Sequence, residues 1–202
     1  MKKDSLPIHC GIVILAAGSS SRLGRPKQSL HYQGKSLLQH TVDTAIASQA
    51  DKVVVVLGAY NDPLQQELQN EKIVFVVNRK WQEGIASSIR CGLEALLKEA
   101  ALVEGAVFMA CDQPFVSTEL INQLLVKYLE TGKSIVASHY EDIFGIPAFF
   151  NRNLFRQLLT LQGDVGARKI MMQYMEHTTT VTFPKGEIDI DTPADYMSLQ
   201  DR

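Results

Sequence analysis

The sequence predicts an α/β protein of three layers, in which helices cover both faces of a Rossmann-like, mostly parallel sheet with a mixed C-terminal part. Apolar runs alternate with amphipathic stretches from residue 8 to about residue 140. These runs are nearly continuous, as expected of strands that are buried on both faces. After residue 140 the order changes to strand, two helices, strand and helix, which indicates the mixed part.

Seven segments are expected to form strands, and all but FGIPAFFN are rich in β-branched residues. In chain order the segments are HCGIVILAA, KVVVVLG, KIVFVVN, GAVFMAC, SIVASHY, FGIPAFFN and TTVTF. The sixth contains Pro147, which cannot donate a backbone hydrogen bond. We therefore expect that strand at an edge of the sheet or at a bulge.

The helices are predicted from apolar positions at helical spacing and from their end signals. Gly132 is expected to end one helix, while Thr192 and Pro193 are the N-cap and first residue of the last one. The predicted helices are SLLQHTVDTAIAS, DPLQQELQ, ASSIRCGLEALLKEA, TELINQLLVKYLETG, RNLFRQLLTL, GARKIMMQYME and TPADYMSLQ.

Length and composition limit the class of protein. A chain of 202 residues fits one domain, with a nucleotide-binding half at about 1–115 and an acceptor-substrate half at about 116–202. The net charge of -2 argues against a nucleic-acid partner. No apolar stretch is long enough for a membrane span, and the first apolar run is interpreted as a strand, not a signal peptide. Three cysteines, an odd number without metal-type spacing, indicate reduced thiols and a cytoplasmic protein.

The loop after the first strand, LAAGSSSRLGRPKQ, combines glycines with positive charge. Gly18 and Gly24 allow backbone conformations in which several N–H groups turn toward one anion, and Arg22 and Lys27 add charge. The loop lacks the GK[ST] ending of a P-loop and the G-x-G-x-x-G pattern of a dinucleotide site. It predicts a polyphosphate site at a strand end, although a solvated surface loop is the alternative.

Carboxylates follow other predicted strands. Asp112 comes after GAVFMAC, and EIDIDTPADY carries Glu187, Asp189 and Asp191 ahead of the last helix, with Asp195 in its first turn. Hard oxygen ligands suit Mg²⁺, which arrives with a triphosphate. Turn formation by Asp112, and helix capping by Asp191 and Asp195, are the alternatives.

Two further loops contain small residues beside predicted helices. In NRKWQEGIASSIRCGL, Gly84, Ser87 and Ser88 allow close approach of a ligand, while a serine cap is the alternative. In QGDVGAR, glycines precede basic residues that are suited to an anion. The five histidines have no zinc spacing and no nucleophile partner, which argues against acid–base and zinc chemistry.

The segment LAAGSSSRLGRPK resembles the LAAG-x-S-x-R-[ML]-G-x-x-K signature of nucleotidyltransferases, with the fold of nucleotide-diphospho-sugar transferases. Within that superfamily the chain most resembles the molybdenum cofactor cytidylyltransferases. The resemblance implies that Lys27 steadies the α-phosphate, Arg22 holds the leaving pyrophosphate, and Asp112 and Asp191 bind Mg²⁺, with Asp189 in reserve. Lys27, Arg22 and Asp112 are the expected catalytic residues. The expected nucleotide-binding residues are Leu15, Ala16, Ala17, Gly18, Ser19, Ser20, Arg22, Gly24, Lys27, Gly58, Gly84, Ser87 and Ser88.

The resemblance extends to the second half. FGIPAFF and QGDVGAR are similar to segments that this family assigns to the second substrate. They imply acceptor contacts at Gly145, Pro147, Asp164, Gly166 and Arg168. The implied acceptor is a molybdopterin-type cofactor with a terminal phosphate, and a molybdoenzyme or its chaperone is the implied protein partner.

The function that follows from the resemblance is Mg²⁺-dependent transfer of CMP from CTP to the phosphate of the molybdopterin cofactor, with release of pyrophosphate. LAAG instead of LAGG favours cytidylyl over guanylyl transfer. The alternatives are transfer from CTP or GTP to another small phosphorylated acceptor, and a nucleotide-binding cofactor-delivery protein without turnover. PKQ and GKSLLQHT are also similar to the cytidylyltransferase of isoprenoid synthesis, but CDQP and GDVGAR point away from it.

Overall fold

The structure, a computed structural model, describes residues 8–18, 20, 22–58 and 70–201. All seven predicted strands are present, together with a two-stranded hairpin that the sequence analysis did not predict. The strands are β1 (Cys10–Ala16), β2 (His31–Tyr32), β3 (Lys35–Ser36), β4 (Lys52–Leu57), β5 (Ile73–Val77), β6 (Gly105–Ala110), β7 (Ile135–Tyr140), β8 (Ile143–Asn151) and β9 (Thr178–Thr182).

Seven of these strands form one sheet in the order β5-β4-β1-β6-β8-β7-β9. β1 pairs in parallel with β4 and β6, and β4 pairs in parallel with β5. β8 runs antiparallel to both of its neighbours, and β7 pairs in parallel with β9. The prediction of a mostly parallel sheet with a mixed C-terminal part is therefore confirmed.

The position of β8 decides between two expectations for Pro147, an edge strand or a bulge. β8 lies between β6 and β7 in the interior of the sheet, so the edge is excluded, and the bulge is confirmed. The β7–β8 register shifts between Ala137 and Ser138, so Ile146 and Pro147 form an irregularity there. Ser138 Oγ donates a hydrogen bond to the Pro147 carbonyl at 2.6 Å. The irregularity lets a central strand contain a residue that has no N–H to donate.

Helices cover both faces of the sheet. They are α1 (Leu37–Ala47), α2 (Ile85–Glu99), α3 (Thr118–Thr131), α4 (Phe155–Leu159), α5 (Arg168–Gln173) and α6 (Pro193–Gln200). The predicted helix DPLQQELQ lies outside the described residues. Of the described helices, none is long and apolar enough to cross a membrane.

The apolar strands divide the core into two layers. Ile12 and Ile14 of β1 face α1 and α3 on one side of the sheet. Val13, between them in sequence, faces α2, α4 and α5 on the other side. Because both faces of β1 are covered, a nearly continuous apolar run was the correct signal for this strand. Because β1 is buried up to its last residue, Ala16, the position at which the following loop begins is also set by the core.

The C-terminal segment returns to the carboxyl ends of β1 and β6. A third apolar cluster joins Leu30 and Leu37 to Ile190 and Leu199. Thr192 caps α6 as predicted, and its side chain and that of Asp195 form a reciprocal capping box. The segment before α6 is thus held against the loop that follows β1.

Candidate active site at the carboxyl ends of the strands

The loop after β1 makes a tight turn before it reaches Lys27. Ser20 and Gly24 have positive φ angles of 53° and 67°. The Leu23 N–H donates to the Ser20 carbonyl at 3.0 Å, and the Lys27 N–H donates to Ser20 Oγ at 2.9 Å. Ser20 therefore holds both ends of the turn that carries Arg22, and the backbone of Lys27 is fixed where the loop ends.

The Lys27 ammonium lies between two carboxylates from distant parts of the chain. Nζ is 2.7 Å from Asp112 Oδ2 and 2.7 Å from Asp191 Oδ1. The Arg22 guanidinium is 2.8 Å from the other oxygen of Asp191. The Lys27 side chain is 15% exposed, whereas that of Arg22 is 68% exposed. The structure thus brings together the four charged residues on which the sequence hypothesis depends.

Backbone contacts explain why the two carboxylates meet. Asp112 follows the end of β6, and its carbonyl accepts a hydrogen bond from the Ile190 N–H at 2.9 Å. Asp195 Oδ2 accepts from the Asp191 N–H at 3.1 Å and from the Thr192 N–H at 2.7 Å. Asp195 therefore caps α6, as its alternative interpretation held, and positions Asp191.

The ionisation of this cluster follows from its geometry. Burial lowers the pKa of Lys27, but the charges and hydrogen bonds of Asp112 and Asp191 outweigh it, so the pKa lies well above the ordinary value. The hydrogen bond from Lys27 is the main cause that holds the pKa of Asp191 below its ordinary value, against partial burial. Both groups are charged at neutral pH.

Asp189 has a raised pKa, although much of the residue is exposed to solvent. Partial burial of its carboxyl group is the largest cause, and repulsion from Asp112 and Asp191 adds to it, so that the pKa rises to about 7. The pKa of Tyr140 is also raised, first by burial and then by Asp189, while Arg168 opposes the change. Asp189, Tyr140 and Arg168 therefore lie close enough to the cluster to interact with its charges.

A cavity of about 310 Å³ opens beside Lys27 and Asp112. Its walls come from the ends of β1 and β6, the start of α2 and the loop at residue 164. Nine predicted site residues line it, namely Leu15, Ala16, Ala17, Gly18, Lys27, Gly84, Ser88, Asp112 and Asp164. Trp81 lines the cavity too.

Several predicted nucleotide-binding residues lie outside this cavity. The buried Ser87 hydroxyl contacts the Gly84 and Lys80 carbonyls and accepts from Asn78 Nδ2, so protein groups hold it in place, and its predicted ligand role stays a prediction. A Cβ at Gly58 would lie 2.3 Å from the Ala17 carbonyl, so Gly58 allows β1 and β4 to end side by side. Ser19 lies outside the described residues.

The predicted acceptor residues divide into two groups. Asp164 lines the cavity, and Gly166 and Arg168 follow it at the start of α5. Gly145 and Pro147 are buried in β8 and do not line the cavity. A Cβ at Gly145 would lie 2.1 Å from the Tyr140 hydroxyl oxygen, so this glycine makes room for Tyr140. Direct acceptor contact by Gly145 and Pro147 stays a prediction.

Residues 12–179 match the family model described as MobA-like NTP transferase domain. The match covers most of the chain and includes the loop after β1 and Asp112. The chain belongs to this family. It is a nucleotidyltransferase on the fold of the nucleotide-diphospho-sugar transferases.

Relatives of this MobA-like protein have varied names. It is 32% identical to nicotine blue oxidoreductase of Paenarthrobacter nicotinovorans, with 86% of each chain covered. It is 29% identical to the purine catabolism protein PucB of Bacillus subtilis, covering 91% of this chain and 92% of the relative. The structure of Rv0371c from Mycobacterium tuberculosis H37Rv is 28% identical, with a TM-score of 0.79 over 96% of this chain and 99% of the other. A complex of Rv0371c with manganese has a TM-score of 0.75, at 25% identity and the same coverage of both chains.

The donor set of this MobA-like site fits a divalent cation. Asp112 Oδ2 and Asp191 Oδ1 both contact the same ammonium, so the two oxygens are no farther apart than twice 2.7 Å. Two carboxylates, with phosphate oxygens and water, suit Mg²⁺, which prefers oxygen ligands. No cluster of three or more His, Cys, Asp or Glu residues with metal-binding geometry occurs within the described ranges.

Sequence reasoning missed one buried polar residue of the site. Gln28 follows Lys27, lines the cavity and is 2% exposed. The sequence shows a glutamine next to a charged loop, which is usually a solvated position. Only the packing of the short 3₁₀ helix Lys27–Ser29 shows that its side chain turns inward.

Proposed function

We propose that this protein transfers CMP from CTP to the phosphate of a molybdopterin-type cofactor and releases pyrophosphate, with Mg²⁺ as the divalent cation. The proposal goes beyond the family in naming the nucleotide, the acceptor and the metal. The LAAG sequence supports cytidylyl transfer, and the QGDVGAR loop supports the acceptor.

One observation carries the proposal: the Lys27 ammonium lies 2.7 Å from both Asp112 and Asp191 at the wall of a cavity formed by the loop after β1. Such a cluster places positive charge for phosphate groups and oxygen ligands for a cation in one location. The acceptor loop lies next to it, because the Ala86 N–H donates to the Gly163 carbonyl at 3.2 Å and Asp164 lines the same cavity.

The chemistry requires positioning and charge neutralisation. An oxygen of the acceptor phosphate attacks the α-phosphorus, a new P–O bond forms, and the bond from the α-phosphorus to the bridging oxygen breaks, with its electron pair leaving on pyrophosphate. The attacking phosphate is already ionised at neutral pH, so no general base is needed. Lys27 neutralises charge at the α-phosphate, and Arg22 binds the leaving pyrophosphate. Asp112 and Asp191 would hold Mg²⁺, which would supply positive charge that offsets the negative charge of the phosphates.

The test is pyrophosphate release with CTP, GTP, ATP or UTP, with Mg²⁺ and molybdopterin cofactor as the acceptor. The proposal expects release with CTP that depends on the acceptor. Pyrophosphate release with another acceptor, or with GTP, would still support nucleotidyl transfer. It would show that the nucleotide or the acceptor proposed here is wrong. Nucleotide binding without any release would instead favour a cofactor-delivery protein.

Lys27→Ala should lower kcat by at least about 100-fold, because it removes a cation that stabilises charge in the transition state. Lys35→Ala is the matched control, since Lys35 pairs with Asp43 at 2.6 Å on the exposed surface. Steady-state pyrophosphate release measures both variants. Near-normal activity of Lys27→Ala would refute the assignment of the loop.

The name of one relative supports a second candidate. The 32% identity to nicotine blue oxidoreductase suggests an oxidoreductase activity as the alternative. The discriminating measurement is oxidation of NADH or NADPH by the same preparation, followed by absorbance. Cofactor oxidation without pyrophosphate release from any of the four triphosphates would favour this candidate.

A further inference from the structure

The chain's own cations hold the carboxylates that the proposed function assigns to a divalent metal. Lys27 Nζ lies 2.7 Å from Asp112 Oδ2 and 2.7 Å from Asp191 Oδ1. An Arg22 guanidinium nitrogen lies 2.8 Å from the second oxygen of Asp191, so both oxygens of this carboxylate contact a positive charge. A divalent cation between Asp112 and Asp191 would therefore have to take the place of the Lys27 ammonium.

Partial burial makes Lys27 a strong competitor for this position. The Lys27 and Asp112 side chains are 15% and 22% exposed, whereas those of the surface pair Lys35 and Asp43 are 54% and 37% exposed. An exposed pair contributes little, because water and salt screen it, but a partly buried pair is screened much less. Departure of Lys27 alone would also leave two carboxylates facing each other without a cation between them. The carboxylates therefore retain Lys27 until another cation replaces it.

The main chain of Lys27 is fixed, but its side chain has a second place to go. The Lys27 N–H donates to Ser20 Oγ at 2.9 Å, so the backbone is held by the loop after β1. The lysine side chain is a flexible stem that carries a compact ammonium, and Lys27 also lines the cavity beside Gly18. A triphosphate in this cavity would offer oxygens that compete with the carboxylates for the same ammonium.

We propose that Lys27 closes the carboxylate pair to free divalent cations and releases it when a triphosphate enters the cavity, so that metal and nucleotide bind together. This inference rests on the proposed function and deepens it. A metal that requires the form without Lys27 binds with an affinity reduced by the fraction of molecules in that form. Triphosphate raises this fraction, and by linkage the metal raises the affinity for triphosphate by the same factor.

The experiment measures the binding of Mn²⁺ alone to the ligand-free protein. Free Mn²⁺ gives a sharp electron paramagnetic resonance spectrum that broadens when the ion binds a protein, so the loss of signal measures bound metal. Lys27→Met keeps a side chain of similar length and removes the charge. We expect this variant to bind Mn²⁺ at least about tenfold more tightly than the wild type. Lys27→Arg, which keeps a cation, should bind Mn²⁺ as weakly as the wild type.

Two controls show where the additional metal binds. Lys35→Met frees the exposed carboxylate of Asp43 and should leave Mn²⁺ binding unchanged. Lys27→Met combined with Asp112→Asn should lose the gain in affinity, because one carboxylate of the pair is gone. Circular dichroism checks that each variant is folded.

Melting temperatures of the wild type test the part played by the triphosphate. Mn²⁺ and CTP together should raise Tm by more than the sum of the increases with Mn²⁺ alone and with CTP alone in EDTA. Lys27→Met should gain about 2 °C or more from Mn²⁺ alone, at a concentration that leaves the wild type unchanged. Additive increases in the wild type would overturn the coupling, even if Lys27→Met did not fold.

The outcomes distinguish the two proposals. Equal Mn²⁺ affinity of the wild type and Lys27→Met, or an equal gain in the variant that also lacks Asp112, would overturn the role of Lys27 alone, because pyrophosphate release is measured separately. A wild-type protein that binds neither CTP nor Mn²⁺, singly or together, would overturn the proposed function together with this inference.

Discussion

At the scale of single residues, Lys27 is the centre of the site. Its ammonium neutralises two carboxylates that would otherwise repel each other, and its pKa is raised above the ordinary value as a result. Lys27 occupies the position between the carboxylates that the proposed Mg²⁺ would take. The proposed function therefore expects Lys27 to move from the carboxylates to a phosphate when metal and triphosphate bind.

Asp112→Asn should raise the Mg²⁺ concentration for half-maximal activity by about tenfold or more, because it removes a charged oxygen ligand. A Mg²⁺ titration of pyrophosphate release measures this, and circular dichroism checks that the fold is retained. Asp43→Asn, which removes an exposed carboxylate elsewhere, is the control. An unaltered titration in Asp112→Asn would show that Asp112 is not a metal ligand.

Because the pKa of Asp189 is raised, we expect the stability of the protein to depend on pH. Its pKa is raised from 3.8 to about 7, so between these values the folded state holds a proton that the unfolded state has released. Stability should therefore fall as pH rises through this window. Asp189→Asn removes the titrating group, so the variant should exceed the wild type in stability at pH 8, and the difference should shrink toward pH 4.

Urea unfolding in EDTA buffer, between pH 4 and pH 8, measures this difference. Asp142→Asn serves as the control, since Asp142 is an exposed residue of the turn between β7 and β8. Parallel stability profiles of the wild type and Asp189→Asn would contradict the raised pKa.

At the scale of elements, two loops meet at the start of α2. Gly84 has a φ angle of 99°, and a Cβ there would lie 2.5 Å from the Gly163 carbonyl group. This contact brings the QGDVGAR loop against the segment that precedes α2. The predicted nucleotide and acceptor segments are therefore joined by a backbone contact that requires glycine at position 84.

Gly84→Ala should destabilise the protein by more than about 2 kcal/mol, because it adds a clash with backbone to an unfavourable φ angle. Gly166→Ala is the matched control, since a Cβ there would be 3.9 Å from Ile85. Thermal unfolding measures both variants. Equal stability of the two would mean that the loops separate without cost.

Local sequence predicted some element boundaries well and missed others. Gly132 ends α3 with a left-handed φ of 63°, and Thr192 begins α6, because capping depends on neighbours in the chain. The β2–β3 hairpin was missed, although Gln33 and Gly34 form its turn with φ angles of 47° and 83°. A strand pair of two residues each is too short to show an apolar period.

At the scale of the whole molecule, the site joins both parts of the sequence. Lys27 bonds to Asp112 and Asp191, which lie 85 and 164 positions further along the chain. The seven-stranded sheet includes strands from both predicted halves, while the division into a nucleotide half and an acceptor half stays a prediction. A ligand that contacts these residues is therefore expected to stabilise the folded chain as a whole.

CTP with Mg²⁺ should raise Tm by about 5–10 °C at a concentration of about 100 times Kd, since a ligand that binds only the folded state adds about 2.7 kcal/mol of stability. Without Mg²⁺ the increase should be smaller. Thermal-shift assays with CTP, GTP, ATP and UTP measure this. Equal shifts for all four nucleotides would refute a preference for cytosine.

By itself, the sequence determined the strands, the caps and the charged loop, because these depend on apolar runs and on neighbours in the chain. Its resemblance to a family paired Asp112 with Asp191. Only the tertiary structure decided that Pro147 lies in a central strand, that Ser87 is engaged by the backbone and that the amide of Gln28 is buried. These outcomes depend on packing between segments far apart in sequence, which local patterns do not contain.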